Sequence, residues 1–533
     1  MTAIDRRQLL RLAAASATTL WLPRSAWAQP RLPEQPFALG VASGWPTARS
    51  LVLWTRLVGA GGGGFPSLPL EAGPVTVRWE LADDEGFTRI VRSGQAQALP
   101  ELAHAVHVEL DGLAPDRWYH YRFMAGDAVS TSGRARTLPA PGAQPGRLKL
   151  AYASCQRWEH GRYAAWRHLA QEGRPDLVLF VGDYIYEYPG ARNAVRSVPG
   201  GWVTDLASYR LRHAVHKSDP ALQAAHAACP WLVTWDDHEV QNDYAGLTPG
   251  NTGPEVADFA ARRAAAYQAY YEHMPLPASV LTRGLGGLMA GAETRLYASF
   301  QYGQLARIAL LDGRQYRSPQ VCTPEGRRGG GLVPVDGCPA LADPARSMFG
   351  AGQEAWLDAR LAEAGRAGTG WTVLAQDLLF GRRDADAGLG KLVWNDAWDG
   401  YAPARRRLTD ALQRHRVPNP VILGGDIHEN WVGHVKADYD RPDSASVGVE
   451  FCGTSISSRA SSYPGFDKLV AENPHFVFAD RDRRGYGLVT LTPQRLETEL
   501  RAVRDVADAE SPVDVLARFG VASGRAELEH SLK

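Results

Sequence analysis

The run Val181-Gly182-Asp183-Tyr184-Ile185-Tyr186-Glu187-Tyr188 follows the apolar stretch Asp176 to Phe180 and carries an Asp and a Tyr three residues apart. A carboxylate in a Gly-Asp turn at the end of a buried strand is a common way to hold a metal ion. A Tyr at the next accessible position adds a phenolate, a hard anionic oxygen that suits Fe(III) better than zinc. Three other segments offer donors that complete such a set: Ser154-Cys155, Trp235-Asp236-Asp237-His238-Glu239 and Gly424-Gly425-Asp426-Ile427-His428. The chemistry open to that set is hydrolysis of phosphate esters at a mixed-metal centre.

Each of these segments directly follows a short apolar run that reads as a strand. Cys155 follows Leu148–Ala153, Asp183 follows Leu177–Val181, Asp237 follows Trp231–Trp235, and Asp426 follows Val421–Leu423. Further strands are expected at Leu305–Leu311, Trp371–Ala375 and Val447–Phe451, with helices at 161–172, 256–272, 353–363 and 405–414. Strands alternating with helical segments argue for a layered α/β domain with helices on both faces. Ligands of such sheets bind beyond the carboxyl ends of the strands, so the four loops can converge on one crevice. Any one of them alone would be weak evidence.

The region before this domain has a different rhythm. Ser50-Leu51-Val52-Leu53-Trp54-Thr55, Val75 to Glu80, Ala105 to Leu110 and Trp118 to Phe123 alternate apolar and polar residues, with turn residues between them. That is the pattern of an immunoglobulin or fibronectin III-like β-sandwich, with Gly61 to Gly64 as a loop and Pro139 to Pro145 as the closing linker. The resulting division is a leader over 1–28, a β-sandwich over 34–140, a catalytic domain over 147–510 and a tail over 511–533. Within the tail, Val513 to Phe519 reads as a short amphipathic helix.

The 533 residues suffice for two to four domains, and Lys plus Arg equals Asp plus Glu at 58 each. No global field therefore draws the chain to nucleic acid or to anionic lipid, and attraction for an anionic substrate must be local. The N-terminus carries Arg6-Arg7, the apolar stretch Leu12 to Leu22 and the small-residue site Ala26-Trp27-Ala28. This is the form of a twin-arginine signal, read by the twin-arginine export machinery. The apolar stretch falls short of the ~20 residues a stable membrane span needs. A periplasmic or extracellular enzyme is expected, exported already folded. Of five cysteines, Cys322 and Cys338 flank a glycine-rich loop whose closure by a disulfide is favoured over two free thiols. Cys229 and Cys452 read as buried small hydrophobes.

Taken together, these motifs resemble the PhoD-like alkaline phosphatases, a branch of the metallophosphoesterases. The resemblance rests on Gly40-Val41-Ala42-Ser43-Gly44, Val52 to Leu57, Ser154-Cys155-Gln156, Gly182 to Tyr188 and Trp235 to Glu239 with Asn242-Asp243-Tyr244. It continues through Trp398-Asp399-Gly400-Tyr401, Gly425 to Trp431 and Gly453 to Ser458. Trp45, where an Asp is common, and Cys452, where Val is usual, depart from the pattern without touching the metal motifs. The resemblance implies an α/β layered metallophosphoesterase domain, β-sheets flanked by helices, behind an immunoglobulin/fibronectin III-like domain. It implies Fe(III) held by Cys155, Asp183, Tyr186 and His428. Asp183 would bridge to a second position formed by Asp237, Asn242 and Asp426. That position, all hard oxygen, favours calcium, one ion or two, with Mg(II) as the alternative. Asp236 would be an outer ligand, His238 the acid for the leaving alkoxide, and Glu239 the group that orients it.

The implied activity is an exported phosphoric ester hydrolase acting on small phosphate esters, monoesters and diesters both. A phospholipase D-like phosphodiesterase is the alternative enzyme. A calcium-stabilised binding protein is the non-enzymatic one, and it leaves His238 and Cys155 without roles. Trp398 to Tyr401 and Arg382 or Arg383 are candidates for the substrate pocket.

Overall fold

The computed structural model describes residues 35–59, 73–281 and 294–531, apart from 324–325, 369, 387, 389, 442 and 462–463. The leader, with Arg6, Arg7 and Ala28, and the Gly61 to Gly64 tract lie outside the described residues. Two large sheets stack face to face. The first runs Glu529–Ser531, Val513–Ala522, Arg495–Val503, Arg484–Leu491, Leu148–Ala153, Leu177–Val181, Trp231–Thr234, Val41–Gly44, Leu51–Arg56 and Ala105–Leu110. The second runs Ala298–Tyr302, Ala306–Leu310, Trp371–Ala375, Pro420–Gly424, Ser446–Cys452, Asn430–Lys436 and Phe476–Asp480.

Strand periodicity decides the layering. Leu148, Leu150, Tyr152, Leu177, Leu179 and Val181 point one way and meet Trp371, Val373, Val421, Leu423, Val449 and Phe451 of the other sheet in a shared core. Their alternates Ala151, Ala153, Val178, Phe180 and Val233 point the other way, onto the helices Ala164–His168, Pro220–Ala228 and Phe259–His273. On the far side, Leu311, Leu374 and Ile422 pack against the helices Gly350–Ala367 and Ala402–Arg414. Helices thus cover both outer faces of a double sheet, as the strand and helix alternation predicts.

The centre of each sheet is parallel: Leu148–Ala153, Leu177–Val181 and Trp231–Thr234 in one, and Ala306–Leu310, Trp371–Ala375, Pro420–Gly424 and Ser446–Cys452 in the other. Parallel strands place their carboxyl ends on one edge, so every loop that follows them opens at the same end of the molecule.

The N-terminal β-sandwich is stitched into this frame. Val41–Gly44 pairs with Trp231–Thr234 through Gly44 and Trp231, and the strands Leu51–Arg56 and Ala105–Leu110 extend the first sheet from there. A Cβ at residue 44 would sit 2.7 Å from the Trp231 carbonyl oxygen, so the junction requires glycine. Leu53, Val77, Leu81, Val106, Tyr121 and Phe123 form the sandwich's own core against a smaller five-stranded sheet.

One expectation is corrected. Val513–Ala522 is a strand paired antiparallel with Arg495–Val503, not a helix. Val513, Val515, Ala517, Phe519 and Val521 fall at every second position, and Ala517, Phe519 and Val521 enter the intersheet core. That period of two outweighs any helical reading. Cys322 and Cys338 form the expected disulfide, while Cys155, Cys229 and Cys452 are free and buried. Among the described residues no helix is long and apolar enough to cross a membrane.

Leu179 is fully buried between the sheets. Leu179→Ala should lower the unfolding free energy by about 2–5 kcal/mol, read as a shift in denaturation midpoint.

Candidate metal centre

The loops after the parallel strands carry their donors on unusual backbone. Cys155, Asp183, Asp426 and His428 adopt positive φ of 60°, 60°, 68° and 59°. For residues with a Cβ this left-handed region costs roughly 1–2 kcal/mol each, so neighbours must enforce it. The Cys155 N–H donates to Gly182 O at 3.1 Å, Gln156 N–H to Asp183 O at 3.1 Å and Gly425 N–H to Asp377 O at 3.0 Å. Glu239 is the main clamp. Its carboxylate accepts from the N–H groups of Tyr184 at 2.6 Å, Asp236 at 2.9 Å and Asp183 at 3.2 Å. It thereby ties the Asp183 turn to the Asp236 turn. A Cβ on Gly182, itself at φ 113°, would come within 2.5 Å of Asp236 Cβ, so the close approach of these turns depends on glycine.

The donor atoms of Cys155, Asp183 and His428 lie within 4.8 Å of one another. The Tyr186 hydroxyl joins them, 2.8 Å from Asp183 Oδ2 and 3.0 Å from His428 Nε2. Ser458 donates to the same hydroxyl at 2.8 Å. His428 Nδ1 faces the Arg459 carbonyl at 2.9 Å, which assigns the proton to Nδ1 and leaves the Nε2 lone pair toward the cluster. Burial, and then Arg484, hold His428 down at about 3, in its neutral, ligating form. Burial and the neighbouring Asp183 push the Cys155 thiol well up, and burial with Asp183 and Cys155 does the same to Tyr186. Asp183 Oδ1 is buried without a hydrogen-bond partner. Thiol, phenol and carboxyl crowded out of water repel one another as anions, and a trivalent cation is what makes all three anionic forms favourable. The donor set fits Fe(III).

A second group shares Asp183. Its carboxylate lies within 4.8 Å of donor atoms of Asp237 and His238, and Asp236, Asp237 and Asp426 form a further set on the same criterion. Asp236 Oδ2 and Asp237 Oδ1 are buried and unpartnered. Burial and Asp237 push Asp426 up to about 7. Asp237, despite burial, is held at about 2 by Arg314 and His238. The carboxylates of Asp183, Asp236, Asp237 and Asp426 are hard oxygen donors, suited to a hard divalent cation, with the His238 ring beside them. Asn242 stands beside them with its side chain engaged elsewhere: Oδ1 accepts from Tyr188 at 3.0 Å and Nδ2 donates to Asn251 at 3.1 Å.

Arg314 is the counterion of this half. Its guanidinium is fully buried, 2.5 Å from Asp236, 2.6 Å from Asp396, and 3.6 Å from Asp237 and from Asp377. Asp396 also binds Arg317 at 2.8 Å. The atoms of Asp237, Asp243 and Asp396 likewise lie within 4.8 Å of one another. With two guanidinium groups on Asp396, that trio is an ion-pair hub and not a cradle for another cation.

His238 sits above Tyr186 with ring centroids 4.2 Å apart. Its Nδ1 is 2.7 Å from Glu187 Oε2, and its Nε2 is 4.0 Å from Asp237 Oδ1. Burial opposes its charge, yet Glu187, Asp237 and Asp183 raise it well above the ordinary histidine value. The expectation that Glu239 orients His238 is therefore corrected: Glu187 does so, while Glu239 holds backbone. Glu187 is itself fixed by the N–H of Asn242 at 2.8 Å and the Thr252 hydroxyl at 3.2 Å.

The pocket candidates have protein partners of their own, Arg383 among them at 3.6 Å from Glu429. Trp398 and Tyr401 are buried; the Trp398 indole N–H donates to Gln376 and Tyr401 lies under Arg317 and Arg346. Asp399 pairs with Arg405 at 2.6 Å and Arg382 with Asp440 at 2.6 Å. All brace the second sheet's loops. Glu187, Asp243, Arg314, Asp377 and Asp396 are the residues the sequence reading missed. Asp312-Gly313-Arg314 and Asp377 follow strands by the same rule that found Asp183, and that placement was the available signal.

Glu239→Ala would leave three buried N–H groups without an acceptor. It should lower the unfolding free energy by about 2 kcal/mol or more and reduce the metal content of the purified protein, measured by denaturation and elemental analysis.

The likeness to known proteins agrees with this geometry. Residues 150–500 match the PhoD-like phosphatase family and residues 24–139 its N-terminal domain. Alkaline phosphatase D of Bacillus subtilis (strain 168) is 42% identical over 502 residues, covering 92% of this chain and 82% of that protein. A solved structure of PhoD superposes with a TM-score of 0.85 at 41% identity, over 94% of this chain and 93% of that one. The purple acid phosphatase PPD1 from yellow lupin seeds, at 12% identity and TM-score 0.53 over 90% of this chain and 74% of that one, shares the fold. The family resemblance drawn from the motifs is borne out: the chain belongs to the PhoD-like phosphatases.

Proposed function

We propose that this chain is an exported, metal-dependent phosphoric ester hydrolase that cleaves phosphomonoesters and phosphodiesters. Cys155, Asp183, Tyr186 and His428 would hold Fe(III), and Asp183, Asp237, Asn242 and Asp426 would hold calcium. Mg(II) is the alternative in the calcium position. The observation that carries the proposal is the convergence of a thiol, a phenol, a carboxylate and an imidazole nitrogen around Asp183, with Tyr186 2.8 Å from that carboxylate and 3.0 Å from His428. That donor combination suits ferric iron and no common divalent ion as well. The likeness to alkaline phosphatase D supports the reaction class. The Arg6-Arg7 leader supports export through the twin-arginine machinery, which moves proteins folded and already loaded with metal.

When bound, the ions supply Lewis acidity toward water and toward the phosphoryl oxygens. The rest is done by side chains. Asp183 keeps the two positions adjacent because its carboxylate belongs to both donor groups. Glu187 holds Nδ1 of His238, which leaves Nε2 for the substrate side, and Glu187 and Asp237 favour the protonated ring. The ring delivers its proton to the departing alkoxide, and an alkoxide leaves a monoester and a diester alike. Arg314 holds Asp236 and neutralises part of the carboxylate charge without facing the substrate.

Two outcomes follow. The loaded protein should absorb in the visible through charge transfer from phenolate and thiolate to iron, and Tyr186→Phe should remove or shift the phenolate part. A colourless, active, zinc-only protein would contradict the assignment. His238→Ala should retain metal yet lose roughly 10²–10⁴-fold in turnover on esters with alkyl leaving groups. The loss should shrink for a nitrophenolate leaving group, which needs little protonation.

A further inference from the structure

The disulfide lies outside the donor clusters, but the strap it closes and the two residues leading into it contact Asp243, Asn395 and Asp396. Gln320, two residues before Cys322, donates from Nε2 to Asp243 O at 2.9 Å and to Asp396 Oδ1. Val321 O accepts from Asn395 Nδ2 at 2.7 Å. Further along, Gly330 N–H donates to Asp243 Oδ2 at 2.9 Å and Gly331 N–H to Asn395 Oδ1 at 2.8 Å. Cβ atoms added at Gly329 and Gly330 would lie 2.9 Å from those of Asp243 and Asp396, so the strap reaches these carboxylates only because it is glycine. The strap's far end is anchored by Leu332–Pro334 pairing with Leu392–Trp394, and by Cys338 packed with Val333, Leu341 and Val393.

What the strap holds leads inward. The Asp243 N–H donates to Asp237 Oδ2 at 2.7 Å. Asp396 binds Arg314 at 2.6 Å, and Arg314 binds Asp236 at 2.5 Å. Each step is a short contact, so the strap and the carboxylates of Asp236 and Asp237 are joined by a continuous chain of polar contacts. Outer partners of metal ligands typically contribute a factor of ten or more to metal affinity.

We infer that the Cys322–Cys338 disulfide is a positioning element for the oxygen-rich half of the centre: by closing the strap over Asp243 and Asp396 it sets the orientation of Asp237 and Arg314, and with it the affinity for the divalent cation. The inference rests on the calcium reading for the identity of the ion, not for the linkage. A disulfide that acted only on the unfolded chain would change stability and leave cation affinity alone.

The test compares wild-type protein, Cys322→Ser/Cys338→Ser, and Gln320→Leu, which keeps the disulfide but removes the strap's side-chain donor. Calcium is titrated in chelator-buffered solution, and hydrogen exchange is followed over residues 237–251. Both variants should need roughly 10–100-fold more free calcium for half-maximal activity. Turnover should return at saturating calcium, the visible iron band should stay unchanged, and exchange over 237–251 should be faster. A folded double-serine protein with the wild-type calcium requirement and wild-type exchange would overturn the inference. If that variant does not fold, Gln320→Leu with unchanged calcium requirement and exchange overturns it equally. Wild-type protein that binds no calcium would contradict the calcium reading alone, and the exchange comparison would still decide the role of the strap.

Discussion

Where the carboxyl ends of the parallel strands of two sheets meet, this chain gathers acidic groups out of water, Asp183, Asp236, Asp237, Asp243, Asp377 and Asp396 with Cys155 and Tyr186 among them, and half-buries Asp426 beside them. Arg314 and Arg317 are buried cations set against them, and Glu187 and Asp237 draw His238 toward its protonated form against the effect of burial. A charge moved from water to a protein interior costs several kcal/mol unless it is paired, and like charges raise that cost. The crowding shows in how these groups hold their protons. Asp183 and Asp236 are pushed well up by burial, and Asp243 is pushed up to about 8 by burial and Asp396. The rest of the architecture follows from holding such a cluster in place, and multivalent cations are the natural means of neutralising what the arginines leave.

Two kinds of support keep the cluster in place. The sheets provide the first. Leu148, Leu179, Val421 and Phe451 fill the space between them, so the loops spring from a base that does not move. Buried carboxylates that bind backbone instead of metal provide the second. Glu239 ties the Asp183 and Asp236 turns, and Glu450 accepts from the N–H groups of Phe380 and Gly381 at 2.5 and 2.8 Å beneath the second sheet's loops. The left-handed conformations of Cys155, Asp183, Asp426 and His428 are maintained by this scaffolding. Backbone strain of that kind, gathered at the donors themselves, is what a prearranged binding site looks like.

Much of this was legible before any coordinates. Apolar runs ending in Gly-Asp or Ser-Cys marked the strand ends, because a strand buried on both faces is a near-continuous hydrophobic run and its following loop is abruptly polar. That punctuation puts Cys155, Asp183, Asp237 and Asp426 on loops able to converge, while the full ligand set with Tyr186 and His428 came from the family resemblance. The C-terminal strand was misread because Val513 to Phe519 is short and its apolar residues suit either period; the partner strand Arg495–Val503 decides. Glu239 was expected where Glu187 acts because residues adjacent in sequence, as Glu239 is to His238, point in different directions, and only the turn geometry says which carboxylate reaches the ring. Arg314, Asp377 and Asp396 escaped notice for a different reason. Arg314 and Asp377 follow strands as Asp183 does, but their part lies in long-range pairing, and a contact between residues 82 apart, as for Arg314 and Asp396, is not marked by its sequence neighbours.

The central claim is that a sulfur and a phenolate oxygen share one iron beside an oxygen-bound divalent ion. X-ray absorption at the iron edge of the purified, active protein tests it most directly. The account predicts ferric iron with a single sulfur neighbour, Cys155, and otherwise nitrogen and oxygen, and it predicts that the sulfur contribution disappears in Cys155→Ser. Active protein without iron, or iron with no sulfur neighbour in the wild type, would contradict it.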